Sequence, residues 1–455
     1  MRSINIKKQA FYVNNETKKI EQLYKKYYTF FMNNNIISSS EKETNRLLTR
    51  FTGYAETYSQ SDSDKADAGV FPSTDQQKDF AIKLEAELKS LGIEKVIRTK
   101  DFYIYAYIPA SKGMEKEKPI CLISHMDTSE ETSGKNVKPR VIKNYDGKPI
   151  IYPLGNFILD PEEDKLLAKA GQNRETIITS SGDTLLGADD KAGIAEIVTA
   201  TEYILNHPEL KHGPFELLFS PDEETGHGMD KVPLDLIKSK GAYTVDGGDI
   251  GELESECFNA WSAEVTFTGK ACHTGTARSG KMVNAVQVVS SFISSLPGNM
   301  KPETTDGFEP FIAPLEVKGG IESAEAYFLL RAFTTEEIEK EKKIIKNLAK
   351  AAAEASNAEV KIKFRMQYLN MKAKIDADKT GVLKRLQEAY KACGVDIVDT
   401  PIRGGTDGSR LTELGIPTPN IFTGGHNFHS KTEWASLNQM VKAADILIKL
   451  LCPEN

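Results

Sequence analysis

Short apolar runs of strand length alternate with stretches of helical spacing along most of this chain, and that alternation constrains its fold more than any other feature. Phe102 to Ile108, Ile120 to Ser124, Phe215 to Ser220, Ala242 to Val245 and Asn420 to Thr423 read as strands. Lys42 to Tyr54, Asp75 to Leu91, Lys191 to Leu205 and Leu437 to Leu451 carry the apolar periodicity of helices. Strands alternating with helices imply an α/β fold, with a mostly parallel central sheet covered by helices. At 455 residues the chain is too long for one ordinary core. Its middle reads differently: strands at Trp261 to Thr268, Phe311 to Val317, Ala326 to Ala332 and Val360 to Tyr368, with helices at Val283 to Leu296 and Thr335 to Ala355. That β-α-β-β-α-β order predicts an inserted ferredoxin-like α+β domain. The expected divisions are a flexible N-terminal extension over 1–42, one domain built from 43–257 and 371–455, and the insert over 258–370.

The polar residues that follow the strands are the chemically informative ones. His125 leads into His125-Met126-Asp127 after one strand, Glu223 and Glu224 follow another, and Asp246 follows a third. Asp189 and Asp190 precede the helix beginning near Lys191, and His429 lies in Gly424-Gly425-His426-Asn427-Phe428-His429 after the last strand. Ligands of open α/β sheets bind outside the carboxyl ends of the strands, so these groups can meet in one crevice. Carboxylates gathered in a partly dry cleft repel one another and take up protons unless cations balance them. Two divalent ions would balance Asp189, Asp246, Glu224 and one hydroxide, leaving Glu223 free to act as a base. Zinc suits such mixed imidazole and carboxylate donors, with manganese or cobalt as substitutes. A lone His-x-Asp or Glu-Glu pair is usually a surface loop or a solvated turn. Five such pieces at successive strand ends are much harder to explain that way.

Other classes of function find little support. The net charge of −7 offers no broad basic surface for nucleic acid. No apolar run approaches the roughly 18 residues of a membrane span. The five cysteines are odd in number and widely spaced, which fits a reducing cytoplasm better than a disulfide framework. Neither a His-Glu-x-x-His zinc helix nor a Gly-x-Ser-x-Gly elbow is present, and no Gly-Lys-Ser/Thr follows the glycines of Gly404-Gly405-Thr406-Asp407-Gly408. His207, His212 and His227 read as surface or packing residues.

His125-Met126-Asp127-Thr128-Ser129, Leu185 to Gly193, Pro221-Asp222-Glu223-Glu224, Val245-Asp246-Gly247-Gly248 and Arg403 to Gly408 resemble the motifs of the co-catalytic zinc peptidases and aminoacylases. The resemblance runs from about Leu47 to the C-terminus. Arg403 to Gly408 and Gly134 to Val137 are similar to the tripeptide aminopeptidase branch of that family. The resemblance implies a zinc-peptidase catalytic domain whose insert is a lid, acting on short peptides, chiefly tripeptides, with a homodimer as an open assembly. It places one zinc on His125 and Asp246 and the other on Glu224 and His429, with Asp189 bridging. Asp127 would orient His125 and Glu223 would be the general base. His273 and Asn284 would contact substrate and its oxyanion, and Arg331 and Arg403 its carboxylate. Ala332 stands where the family usually has an acid, Thr274 where it has proline and His426 where it has an aromatic residue. An N-acyl-amino-acid deacylase, dipeptidase or carboxypeptidase of the same fold is the alternative.

Overall fold

The computed structural model describes residues 36–453, so most of the expected N-terminal extension lies outside the described residues. The packed chain begins ahead of the boundary placed at 42: Ile37 is fully buried in the main core, and a helix starts at Glu41. Ser40 caps that helix by accepting from the Glu43 N–H, and its Leu47, Phe51 and Tyr54 face turns inward. No helix among the described residues is long and apolar enough to cross a membrane.

An eight-stranded sheet organises the larger module. Its strands lie in the order Lys95–Arg98, Ile104–Ile108, Phe215–Ser220, Ile120–His125, Ala242–Gly247, Asn420–Phe422, Glu252–Glu254 and Val398–Asp399. Phe215–Ser220 through Asn420–Phe422 pair parallel, and antiparallel partners flank them. Ile120–His125 and Phe215–Ser220 are buried at every residue, which is why they read as unbroken apolar runs. Helix Ala188–Asn206 lies against Ile120–His125 and Ala242–Gly247 and is covered by helices Glu41–Ala55 and Leu437–Leu451. Gly193 permits that approach, because a Cβ there would stand 1.9 Å from the Val245 carbonyl oxygen. A second cluster, including Tyr103, Ile123, Leu218 and Leu411, adds to the core.

The inserted block forms its own antiparallel sheet in the order Phe311–Gly319, Ser323–Ala332, Asn259–Thr268, Glu359–Tyr368. Helices Ala285–Ser294 and Thr335–Ser356 pack on it around Val265, Phe267, Phe292, Phe328 and Ile345, a core separate from the main one. Thr334 and Glu337 form a reciprocal cap at the start of the longer helix, and Asn357 ends it in the left-handed region. Strand order and connection are those of the ferredoxin-like arrangement.

One region carried no expected elements. Between the Ile120–His125 strand and Asp189 the chain supplies Arg140–Ile142 and Ile177–Thr179, which join Trp434–Ser436 and Gly425–His426 in a small four-stranded sheet. Strands of two or three residues show no period, so nothing in the sequence marks them. That sheet brings the segment around Glu433 beside the one that presents Asp189.

Candidate metal centre

Parallel strands deliver their carboxyl ends to one side of the sheet, and the candidate donors come from there. His125 is the last residue of its strand, Asp246 the next to last of its own, and Glu223 and Glu224 follow Ser220 by a short turn. Asp189 comes from the first turn of helix Ala188–Asn206. His429 arrives from the loop after Gly425–His426, held in the left-handed region at φ 59° with its carbonyl accepting from the Thr132 hydroxyl.

These donors fall into two sets that share Asp189: His125, Asp189 and Asp246, and Asp189, Glu224 and His429, with the ligand atoms of each set within 4.8 Å of one another. Each oxygen of Asp189 faces a different imidazole, Oδ1 at 2.8 Å from His125 Nε2 and Oδ2 at 3.1 Å from His429 Nε2. Asp246 Oδ1 lies 3.5 Å from His125 Nε2, and Glu224 Oε2 lies 2.9 Å from His429 Nε2. A carboxylate flanked in this way is placed to bridge two cations. Glu223 belongs to neither set.

Behind the donors stand further fixed groups. The His125 Nδ1 faces Asp127, 3.1 Å from its carbonyl oxygen and 3.5 Å from its Oδ1, which leaves Nε2 to point at the cluster. The Asp127 carboxylate is fully buried and accepts from the N–H groups of both Glu223 and Glu224, at 3.1 Å each. One side chain therefore orients a histidine and sets the turn that carries the neighbouring glutamates. Asp190 accepts from the Ser124 hydroxyl and from the His125 N–H, tying the start of the helix to the end of the strand. On the other side, Glu131 Oε2 lies 3.4 Å from His429 Nδ1.

Burial and neighbouring charge set how these groups titrate. Burial, with Asp189 beside it, pushes Glu224 up to about 8, and burial pushes Asp246 to about 6. Burial works against a charged His429, but hydrogen bonds to Asp189 and Glu224 outweigh it and raise the ring to about 11. Asp189 is held below the ordinary carboxylate range, in spite of burial, by His125 and His429. Burial also raises Glu223 well above the usual range. Carboxylates buried side by side in this way are balanced by cations, and Glu224 Oε1 is buried without a hydrogen-bond partner among the described residues. Two imidazoles and three carboxylates fit a pair of divalent ions.

The four residues expected at the substrate are placed differently, and none shares a hydrogen bond or ion pair with the five donors. His273 is exposed and accepts from the Gly275 N–H at 3.1 Å. Asn284 is the N-cap of helix Ala285–Ser294, accepting from Val286 N–H at 3.0 Å. Arg331 is largely buried, donates to the carbonyls of Trp261 and Leu330, and lies over the Tyr368 ring. Arg403 donates to the carbonyls of Thr305, Gly307 and Glu309 and lies over Phe258 and Phe311. Sequence reasoning assigned no role to Glu131 or Glu433. Glu131 sits a few residues past the His125 motif and Glu433 four past His429, and a carboxylate at such a distance from a ligand histidine is the only signal that marked them.

Residues 185–452 match the model of peptidase family M20/M25/M40. A protein named Peptidase T from Clostridium botulinum is 44% identical over 408 residues, covering 89% of this chain and 98% of that protein. Among solved structures, the aminopeptidase PepT from Bacillus cereus superposes with a TM-score of 0.67 at 22% identity, covering 90% of this chain and 98% of the other. A tripeptidase from Staphylococcus aureus does so with a TM-score of 0.69 at 19% identity and the same coverage.

Proposed function

The chain belongs to peptidase family M20/M25/M40, and from that premise we propose that it is a tripeptide aminopeptidase working through two metal ions. It is a metallopeptidase that hydrolyses the bond after the N-terminal residue of short peptides, chiefly tripeptides. The observation that carries the two-metal reading is Asp189, whose two oxygens each face a different histidine Nε2 with a second carboxylate alongside. His125 and Asp246 would hold one ion, Glu224 and His429 the other, and Asp189 both. Zinc is the ion proposed, since imidazole and carboxylate donors suit it. Bound there, the ions supply Lewis-acid polarisation of the scissile carbonyl and acidify the attacking water.

The chain's own residues do the rest. Glu223, beside the cluster without belonging to it, takes a proton from the water and passes one to the leaving nitrogen. Asp127 keeps Glu223 in reach by holding its backbone N–H. His273 lies on the insert and bonds its own loop, so to meet the developing oxyanion the insert would act as a lid that moves toward the cleft. Arg331 and Arg403 would meet the peptide carboxylate in that closed arrangement, exchanging carbonyl partners for it. The five cysteines are all free, which suits work in the reducing cytoplasm.

Metal analysis of the purified protein, with product identification on a free tripeptide and its N-acetylated form, tests the reading. The expected result is bound divalent metal and release of the N-terminal residue from the free tripeptide alone. Release of acetate from the acetylated peptide, or of the C-terminal residue from either, would assign the chain to a deacylase or carboxypeptidase activity instead.

A further inference from the structure

Glu433 immediately precedes the Trp434–Ser436 strand and is almost completely buried, yet among the described residues it forms no ion pair. Its partners are four consecutive backbone N–H groups. Oε2 accepts from Leu186 at 2.7 Å and Gly187 at 2.8 Å, and Oε1 accepts from Ala188 at 2.6 Å and Asp189 at 3.2 Å. Successive N–H groups converge on one anion only where the chain curls into a concavity, and Gly187 supplies the curl with φ 81° in the left-handed region. The same four residues lead into helix Ala188–Asn206 ahead of a kink at Asp189 and Asp190, where the backbone leaves helical geometry and its N–H groups are free to meet a negative charge. The carboxylate therefore grips the stretch of main chain that ends in the proposed bridging ligand.

We propose that Glu433 is the positioning residue of the metal pair: by fixing the backbone of 186–189 it sets where both oxygens of Asp189 stand, and so governs both metal sites at once. This rests on the two-metal reading of Asp189. The other carboxylates behind the donors do not bond the backbone of 186–189: Glu131 faces His429 and accepts from the Ser129 hydroxyl, Asp127 reaches His125 and the Glu223–Glu224 turn, and Asp190 accepts from the Ser124 hydroxyl and the His125 N–H. Among the described residues, Glu433 is the side chain that accepts from the N–H groups of 186–189, the segment common to both sets. The small sheet makes the grip rigid, because Trp434 is fully buried and its strand is paired on both sides, with Ile177–Thr179 and with Gly425–His426. A charged acceptor serving four donors is replaceable by nothing neutral of its size. A glutamine brings one acceptor oxygen and an amide NH₂ that would oppose two of the N–H groups.

The test is cobalt(II) titration of the full chain, read by chelator competition and by the visible absorption of the bound ion, for the native protein, Glu433→Gln and Glu131→Gln. The native protein is expected to take up two equivalents. In Glu433→Gln both should weaken together, by about 10- to 100-fold each as for other groups behind a ligand, and the absorption bands of both should shift. In Glu131→Gln only one should weaken. Circular dichroism checks the fold. If Glu433→Gln does not fold, Gly187→Ala strains the same concavity from the donor side and should give the same joint loss. A folded Glu433→Gln with two native-like equivalents and unchanged bands, or with one site weakened alone, overturns the inference. Fewer than two equivalents in the native protein would instead overturn the two-metal reading beneath it.

Discussion

Asp127 and Asn284 are both short polar side chains that accept from backbone N–H groups, one in the main module and one in the insert, and the comparison separates the two regions. Asp127 is fully buried and its bonds to Glu223 and Glu224 span about a hundred positions of sequence, so it organises groups that meet only in the fold. Asn284 is partly exposed and closes a bond two residues ahead, so it organises its own helix. The same division holds more widely. The cluster's neighbours, Asp127, Asp190 and Glu433, are buried carboxylates with distant partners. His273 and Asn284 in the insert are bonded to main chain two residues ahead, and Arg331 to the Leu330 carbonyl and to that of Trp261 on the neighbouring strand. On the proposed reading, the metal end is held by fixed buried carboxylates, whereas the groups assigned to substrate would have to change partners.

The comparison predicts its largest effect on the preorganised side. Glu223→Gln should lower kcat by about 10² to 10⁴ while leaving metal content nearly intact, as removal of a positioned proton-transfer group does. Near-normal turnover in that variant would remove Glu223 as the base. On the insert side, His273→Ala should depress kcat by about 10² to 10³ with little change in KM or metal content, the loss expected of one oxyanion donor. An unchanged kcat would mean that His273 keeps its loop role throughout the cycle, and the lid would lose its catalytic purpose.

Smaller effects sharpen the contrast. Amidating the C-terminus of a tripeptide should reduce kcat/KM by roughly 1.5 to 3 kcal/mol if Arg331 and Arg403 trade carbonyls for a carboxylate. Equal rates on acid and amide would leave both arginines as structural residues. The insert also contains an uncompensated acid. Glu341 is fully buried with neither oxygen hydrogen-bonded, and burial, aided by Glu337 and opposed by Arg331, pushes it up to about 9. Its folded value lies above its unfolded one, so its contribution is intact in acid and is lost as pH rises toward about 9. Glu341→Gln should accordingly raise stability at pH about 8.5 relative to pH about 5.5, by at least about 1 kcal/mol, measured as urea midpoints. A gain that does not grow with pH would show the acid to be solvated.

How much of this was legible beforehand follows from the physics of each element. Strand Phe215–Ser220 and helix Leu437–Leu451 match their sequence patterns residue for residue, because a buried strand is continuously apolar and a long helix repeats its spacing. The residues proposed as metal donors stood out for a related reason, since His125, Glu223, Glu224 and Asp246 lie where apolar runs break into His, Asp or Glu. Glu433 was not, because its four donors lie 244 to 247 positions away and no local pattern links them. Asn284 carries two readings at once. Resemblance assigned it to substrate, although an asparagine directly before the apolar run Ala285-Val286 is also the ordinary signal of a helix cap.

One aspartate is proposed to join two metal sites, and metal stoichiometry in Asp189→Ala tests that link. The native chain should bind two equivalents of zinc. His429→Ala should weaken one of them, and Asp189→Ala should weaken both in the same titration. An Asp189→Ala protein, folded by circular dichroism, that still binds one equivalent with native affinity would contradict the account, because the two donor sets would then be independent of the residue proposed to unite them.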